Sequence, residues 1–416
     1  MMLRTCKHKL IFAAICCCFV LSSLHATWIF AQEQAIPDSP PVIKLKELYD
    51  KNKQFHDDME AAFNNLQDMP KDYKFGGKNY WKKDNRNNFN YLCQFFNKWS
   101  YFAPTTEDGL TAFIEPFYQF FYKNDPAIRL ITGDPGLRWT KDFVNWRKSY
   151  MESQESLWTL DRWKNDPSWN DYIIPEGGFK SFNALFTRRI KPGLRPVADP
   201  RDPSVLISPA DSLLNRVKNR LAEDDKIPTK GRQELSIKKL LADSKFYSRF
   251  VGGSGLSFVL MPINYHCWHA PVTGYVVESR ESVMGRFFGN PDFPDFFRNG
   301  NVGYDSEFSI FEVYHRGYYI FKTARYGYVA MIPVGLDDIS SITFEPKFKD
   351  ISEPKKVAVQ KGDIMGHFAY GGSMIILLFE KGVLPSDIKT SRDLLQGQRV
   401  AKLKRISNQH GGQDKE

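Results

Sequence analysis

The stretch YGGSMIILLFEKG, residues 370–382, decides how the C-terminal half of this 416-residue chain must be read. Two glycines and a serine run straight into six apolar residues, Met374 to Phe379, and Glu-Lys-Gly closes the run. A short apolar run bounded by glycines fits a buried strand. Glycines at its mouth signal a turn, a bulge or a close backbone approach, and Ser373 stands at that junction.

Similar runs surround it. GLSFVLMPI (255–263), GYVVES (274–279) and GYYIFKTARYGYVAMIPVG (317–335) are β-branched or aromatic and punctuated by glycine. They predict a β-rich unit over 179–416, with NPDFPDFFRNGNVG (290–303) as a loop and a polar tail at 407–416. Upstream, residues 43–66, 88–102, 110–123 and 140–151 carry apolar and aromatic residues at helical spacing. Phe89, Leu92, Phe95, Phe96 and Trp99 fall close to one face. The expectation is an α+β protein, with an N-terminal helical domain over 32–178 whose aromatic faces pack on one another.

Residues 1–31 read as a signal peptide or membrane anchor. Arg4, Lys7 and Lys9 precede an apolar run from Leu10 to Val20, and small residues follow. Cleavage is expected after Ala26 or Ala31; uncleaved, Leu10 to Ala31 is long enough to anchor the chain in a bilayer. The protein is thus expected to be exported, periplasmic or secreted. Four of its six cysteines lie in this segment, which leaves Cys93 and Cys267 and no disulfide framework. The net charge of +9 favours anionic partners, but the longest basic run is TRRIK and no nucleic-acid module accompanies it, so no nucleic acid is expected.

Three short stretches carry candidate chemistry. YHCWHAPVTG (265–274) holds His266 and His269 three apart; on a strand they point to opposite faces, so no metal clamp is expected. LISPADSLLN (206–215) runs an apolar strand into Asp211, and the third stretch contributes Ser373. Aspartate, histidine and serine on separate strand ends are the ingredients of a charge-oriented triad. A serine hydrolase is one reading, but the Gly-x-Ser-x-Gly elbow is incomplete and a strand follows where that elbow needs a helix.

Five motifs occur in order: FNALFTRRIKPGLRPV, SPADS, YHCWHAPVTGYV, VAMIPVG and KGDIMGHFAYGGSMIILLFEKG. Together they resemble the phosphatidylserine decarboxylase family across roughly residues 179–385. The resemblance implies a proenzyme that cleaves itself between Gly372 and Ser373, with His269 as the motif histidine and Asp211 as the motif aspartate. His269, oriented by Asp211, would take the Ser373 hydroxyl proton, and Oγ would attack the Gly372 carbonyl carbon. Elimination and hydrolysis would then leave a pyruvoyl group on a new chain, 373–416, that stays bound. Such a group makes pyridoxal phosphate and metal unnecessary, because its ketone is the electron sink for carbon dioxide loss. The proton for the product carbon would come from His269 or His266.

Two features depart from the family pattern. Met374 stands where a small hydroxyl residue is usual, which bears on processing rate. The N-terminal domain, with DFVNWRKSYMESQESLWTLDRW (142–163), resembles a subgroup that includes the fungal tryptophan decarboxylase of psilocybin biosynthesis. The substrate is therefore phosphatidylserine or, alternatively, a soluble aromatic amino acid such as tryptophan; an unprocessed binding protein is a further alternative. Arg188, Arg189, Lys191 and Arg195 are candidate contacts for an anionic substrate or a membrane surface.

Overall fold

The computed structural model describes residues 37–68, 80–81, 88–105, 113–121, 124–221, 237–261, 263–283, 285, 314–336, 342–370 and 372–406. The leader and the loop at 290–303 lie outside the described residues.

Six helices form the first part: α1 (Pro40–Lys51), α2 (Lys53–Asn64), α3 (Phe89–Ser100), α4 (Ile114–Phe121), α5 (Asp125–Thr132) and α6 (Gly136–Glu152). Their aromatic residues face one another, as the helical spacing predicts. The Phe96 ring lies edge-on to Trp139 at 4.7 Å and to Phe143 at 5.2 Å. The Trp139 indole N–H donates to the Pro41 carbonyl at 2.7 Å, so its polar end is satisfied inside the layer. These rings form core. Two short helices follow, α7 (Leu160–Lys164) and α8 (Phe182–Phe186).

The second part is antiparallel β. An eight-stranded sheet contains, in spatial order, Arg392–Leu394, Ser212–Lys218, Ser254–Leu260, Gly372–Phe379, Tyr328–Leu336, Arg316–Lys322, Gly274–Val283 and Val357–Val359. A three-stranded sheet orders Cys267–His269, Ile364–Phe368 and Ile342–Phe344, and Val205–Ile207 pairs with Arg399–Lys402. In chain order these thirteen strands are β1 to β13, so that Ser254–Leu260 is β3, Cys267–His269 β4, Tyr328–Leu336 β7, Ile364–Phe368 β10 and Gly372–Phe379 β11.

Strand β11 lies in the middle of the large sheet, bonded to β3 on one side and β7 on the other. It begins two residues earlier than the apolar run suggests. Gly372 already pairs with Leu336, and Ser373 lies opposite Leu260 and Gly335. The glycine at the mouth is therefore ladder, not turn. All six residues from Met374 to Phe379 are fully buried because both faces are covered. Ile375, Leu377 and Phe379 join the cluster containing Trp268, Phe344 and Phe368 of the small sheet. Met374, Ile376 and Leu378 join one continuous buried cluster with Phe96, Trp139 and Phe143 of the helices. Each such side chain contributes about 1.5–3 kcal/mol of transfer free energy. Met374 thus belongs to the core shared with the helical layer, while Ser373, one residue back, faces the small sheet. Among the described residues, no helix is long and apolar enough to cross a membrane.

Candidate active site

The site forms where β11 starts. Ser373 is fully buried, and so is His266, which ends the loop from β3 to β4. That loop is held by Asn264, whose Oδ1 accepts the Met261 N–H at 2.6 Å while its own N–H returns to the Met261 carbonyl at 2.8 Å. The His266 carbonyl accepts from the Phe368 N–H at 3.0 Å, which ties the loop to β10. Gly366 permits that packing: a Cβ there would lie 2.3 Å from the Thr343 carbonyl oxygen and 2.5 Å from the Trp268 ring.

His266 Nδ1 lies 3.1 Å from Ser373 Oγ, and its Nε2 lies 3.0 Å from the Met261 carbonyl oxygen. A carbonyl only accepts, so Nε2 carries the ring proton, and Nδ1 presents its lone pair to the serine hydroxyl. Phe186 of α8 stacks on the imidazole, centroids 3.9 Å apart and planes 25° from parallel. The ring that faces Ser373 is thereby fixed in position and tautomer.

His269 is placed otherwise. Its Nδ1 lies 2.7 Å from the Gly362 carbonyl, so Nδ1 is the protonated nitrogen, and Nε2 accepts from the Tyr265 hydroxyl at 3.2 Å. Burial pulls its pKa down, which keeps the ring neutral. Burial likewise pushes the Tyr265 phenol up, so it stays a donor. Both ring nitrogens of His269 are thus engaged away from Ser373. The histidine in hydrogen-bond contact with the serine is His266, three residues before the one the motif reading expects.

Asp211 is close to His269 but does not hydrogen-bond to it. The His269 N–H donates to the Pro209 carbonyl at 2.8 Å, tying the aspartate loop to β4, and the carboxylate acts on the imidazole through its charge. The carboxylate itself is taken by Arg195: Nε sits 3.0 and 3.1 Å from its two oxygens, and Nη2 lies 2.7 Å from Oδ2. The Gln396 N–H adds a 2.8 Å bond to Oδ1. That bond carries the residues after position 373 into the site.

The four basic residues do not form an outward-facing cluster. Arg188 is 3 % exposed, its guanidinium lies over the Tyr172 ring at 4.1 Å, and it donates to the Tyr172 hydroxyl and the Ile263 carbonyl. It pins the loop that bears His266. Arg189 pairs with Glu345 at 2.9 Å, and Arg195 is spent on Asp211. Lys191 alone of the four is exposed, and its ammonium donates to the Asn170 carbonyl. The sequence reading misses these roles because charge alone does not say whether a cation faces water or carbonyls. Cys93 and Cys267 are both buried and free. Among the described residues, no group of three or more histidine, cysteine and acidic side chains is arranged to hold a metal.

The sequence model of phosphatidylserine decarboxylase matches residues 182–402, just over half of the chain. Similar proteins include the phosphatidylserine decarboxylase proenzymes of Saccharophagus degradans, 32% identical over 54% of this chain and 78% of that protein, and of Clostridium novyi, 30% identical over 56% and 72%. Proenzyme 3 of Schizosaccharomyces pombe is 32% identical over 56% of this chain but only 22% of its own length, and proenzyme 2 of Oryza sativa is covered over 34%. The matched region begins at the helix bearing Phe186 and ends at the last strand of the β unit, so it takes in Asp211, both histidines and the buried serine: the chain belongs to the phosphatidylserine decarboxylase family.

Proposed function

We propose that this protein is a self-processing, pyruvoyl-dependent decarboxylase that releases carbon dioxide from phosphatidylserine to give phosphatidylethanolamine. The observation that carries the reading is the buried Ser373–His266 contact at the first residues of a strand paired on both sides, in a chain of this family. Self-processing begins when Ser373 Oγ loses its proton and attacks the Gly372 carbonyl carbon. The Gly372–Ser373 C–N bond breaks, the serine nitrogen takes a proton, and an ester replaces the amide. Loss of the Ser373 α-proton then expels the Gly372 carboxylate and leaves a dehydroalanine, which water converts to a ketone with release of ammonia.

The residues around Ser373 suit that product, because a residue-373 ketone would stay buried beside His266 with the rest of β11 holding it in register. A pyruvoyl group there supplies the electron sink for decarboxylation. His266 exchanges protons with residue 373 and with what binds there. Asp211 and Arg195 fix the loop beside His269, and His269 is the second candidate for starting self-processing. Ser373 sits at the start of a strand where a nucleophile elbow needs a helix to follow, which speaks against a serine hydrolase. The apolar leader supports work at a membrane after export, where a lipid substrate lies.

The test is carbon dioxide release from carboxyl-labelled phosphatidylserine in mixed micelles, with tryptophan in buffer as the comparison. Release from the lipid alone supports the reading. Release from tryptophan alone would transfer it to a soluble amino acid, and release from neither would end it.

A further inference from the structure

We infer that Arg147 and Tyr370 are positioning residues for self-processing, through which the N-terminal helical layer holds the segment just before the bond to be cleaved; this rests on the self-processing reading above. Arg147, on α6, is fully buried. Its Nη1 donates to the carbonyls of Trp99, at 2.7 Å, and Phe102, at the C-terminal end of α3, where the helix dipole favours a cation. Its guanidinium carbon lies 5.3 Å from the centre of the Tyr370 ring, within cation–π range. Burying a guanidinium is unfavourable unless its N–H groups and its charge find partners. Two carbonyls and an aromatic face contribute to its compensation here, and the face belongs to the processing segment.

Tyr370 is held from the other directions too. Its ring lies edge-on to Phe182 and Phe186, each at 5.4 Å, and its N–H donates to Asn183 Oδ1 at 3.2 Å. Downstream, Ser373 is held by Leu260 and Gly335 across the ladder. Gly372 is paired with Leu336, so the ladder begins two residues after Tyr370. Attack of Oγ on the Gly372 carbonyl requires a local departure from extended geometry. With Tyr370 clamped and β11 in register from Gly372 onward, the chain is fixed in direction on both sides of the attacked carbonyl, which favours the approach of oxygen to carbon. Without the clamp, the segment before the bond is held from one side only and productive approaches become rarer; a misplacement of about 1 Å can cost about 100-fold in rate.

The experiment follows chain splitting in full-length protein made by pulsed cell-free synthesis. Tyr370→Leu is expected to slow splitting about tenfold or more, and Tyr370→Phe, which keeps the ring face, to split at the wild-type rate. Arg147→Gln is expected to slow it similarly and also serves if Tyr370→Leu fails to fold. Hydroxylamine cleaves an ester once formed, so it should not restore the rate in the slow variants, whose defect lies in forming the ester. Equal rates in all variants, with the wild type splitting, overturn the inference alone. Equal loss in Tyr370→Phe and Tyr370→Leu, or full rescue by hydroxylamine, also overturns it. A wild-type chain that never splits overturns the self-processing reading and the inference with it.

Discussion

Replacing His266 with glutamine separates proton transfer from packing. The imidazole is fully buried, with one nitrogen committed to the Met261 carbonyl and the other to Ser373 Oγ. A neutral amide of similar reach can fill the volume beneath Phe186 and keep a hydrogen bond to the carbonyl, but it cannot gain and lose a proton near neutral pH. General acid–base transfer by a positioned histidine is worth about 10²- to 10⁴-fold, or roughly 3–5 kcal/mol of barrier. His266→Gln is therefore expected to release carbon dioxide at about a hundredth of the wild-type rate or less, with an unfolding midpoint close to wild type. The assay is single-turnover release of labelled carbon dioxide, read beside chain splitting on denaturing gels. A variant that splits but releases nothing assigns the start of processing to His269 and Asp211, and decarboxylation to His266. Release within about threefold of wild type would refute the argument, because a histidine in contact with residue 373 would then carry no proton that matters.

Arg195→Met should destabilise the protein by about 3–5 kcal/mol in denaturant unfolding, because it leaves the nearly buried Asp211 carboxylate without its bidentate cation. Arg188→Met should cost about 3 kcal/mol by stranding the Ile263 carbonyl and the Tyr172 hydroxyl, yet leave binding to anionic vesicles unchanged; reduced vesicle binding would show that this cation reaches the surface after all. Burial, helped by Arg316, pulls the His315 pKa down to about 4, from an ordinary value of 6.5. The unfolded chain binds the extra proton between those values, so stability present above about pH 6.5 is lost as pH falls towards 4. Unfolding midpoints measured at pH 7 and pH 5 should differ less in His315→Gln than in wild type, and an undiminished difference would remove His315 as the cause.

Much of this architecture is legible in the residues. The apolar run after Ser373 announces a buried strand because no polar residue interrupts Met374 to Phe379, and the aromatic spacing of 88–102 announces a helix. What covers the second face of β11 is not legible. An apolar residue at 374 says that something packs there, and only the fold shows that the N-terminal helices share that cluster. Ser373, Asp211 and the two histidines can be picked out as types and order, but their pairing cannot. Which histidine meets the serine depends on a loop set by Asn264 and Met261, and hydrogen bonds of that kind leave no periodic signal. Arg188 and Arg195 look like surface charge in sequence because the carbonyls and the carboxylate that bind them come from distant segments. Arg147 lies within the stretch 142–163 that carries the subgroup resemblance, but its contact with the processing segment appears only once α6 lies against Tyr370.

The central claim is tested most directly by the intact mass of the purified protein under denaturing conditions, with Ser373→Ala beside it. The account predicts two chains from the wild type, the smaller spanning residues 373–416 and starting at a blocked residue that reacts with hydrazine reagents as a ketone, and one uncut chain from the variant. A single uncut wild-type chain with an intact Ser373 hydroxyl would contradict it, since no electron sink for decarboxylation would then exist at the site.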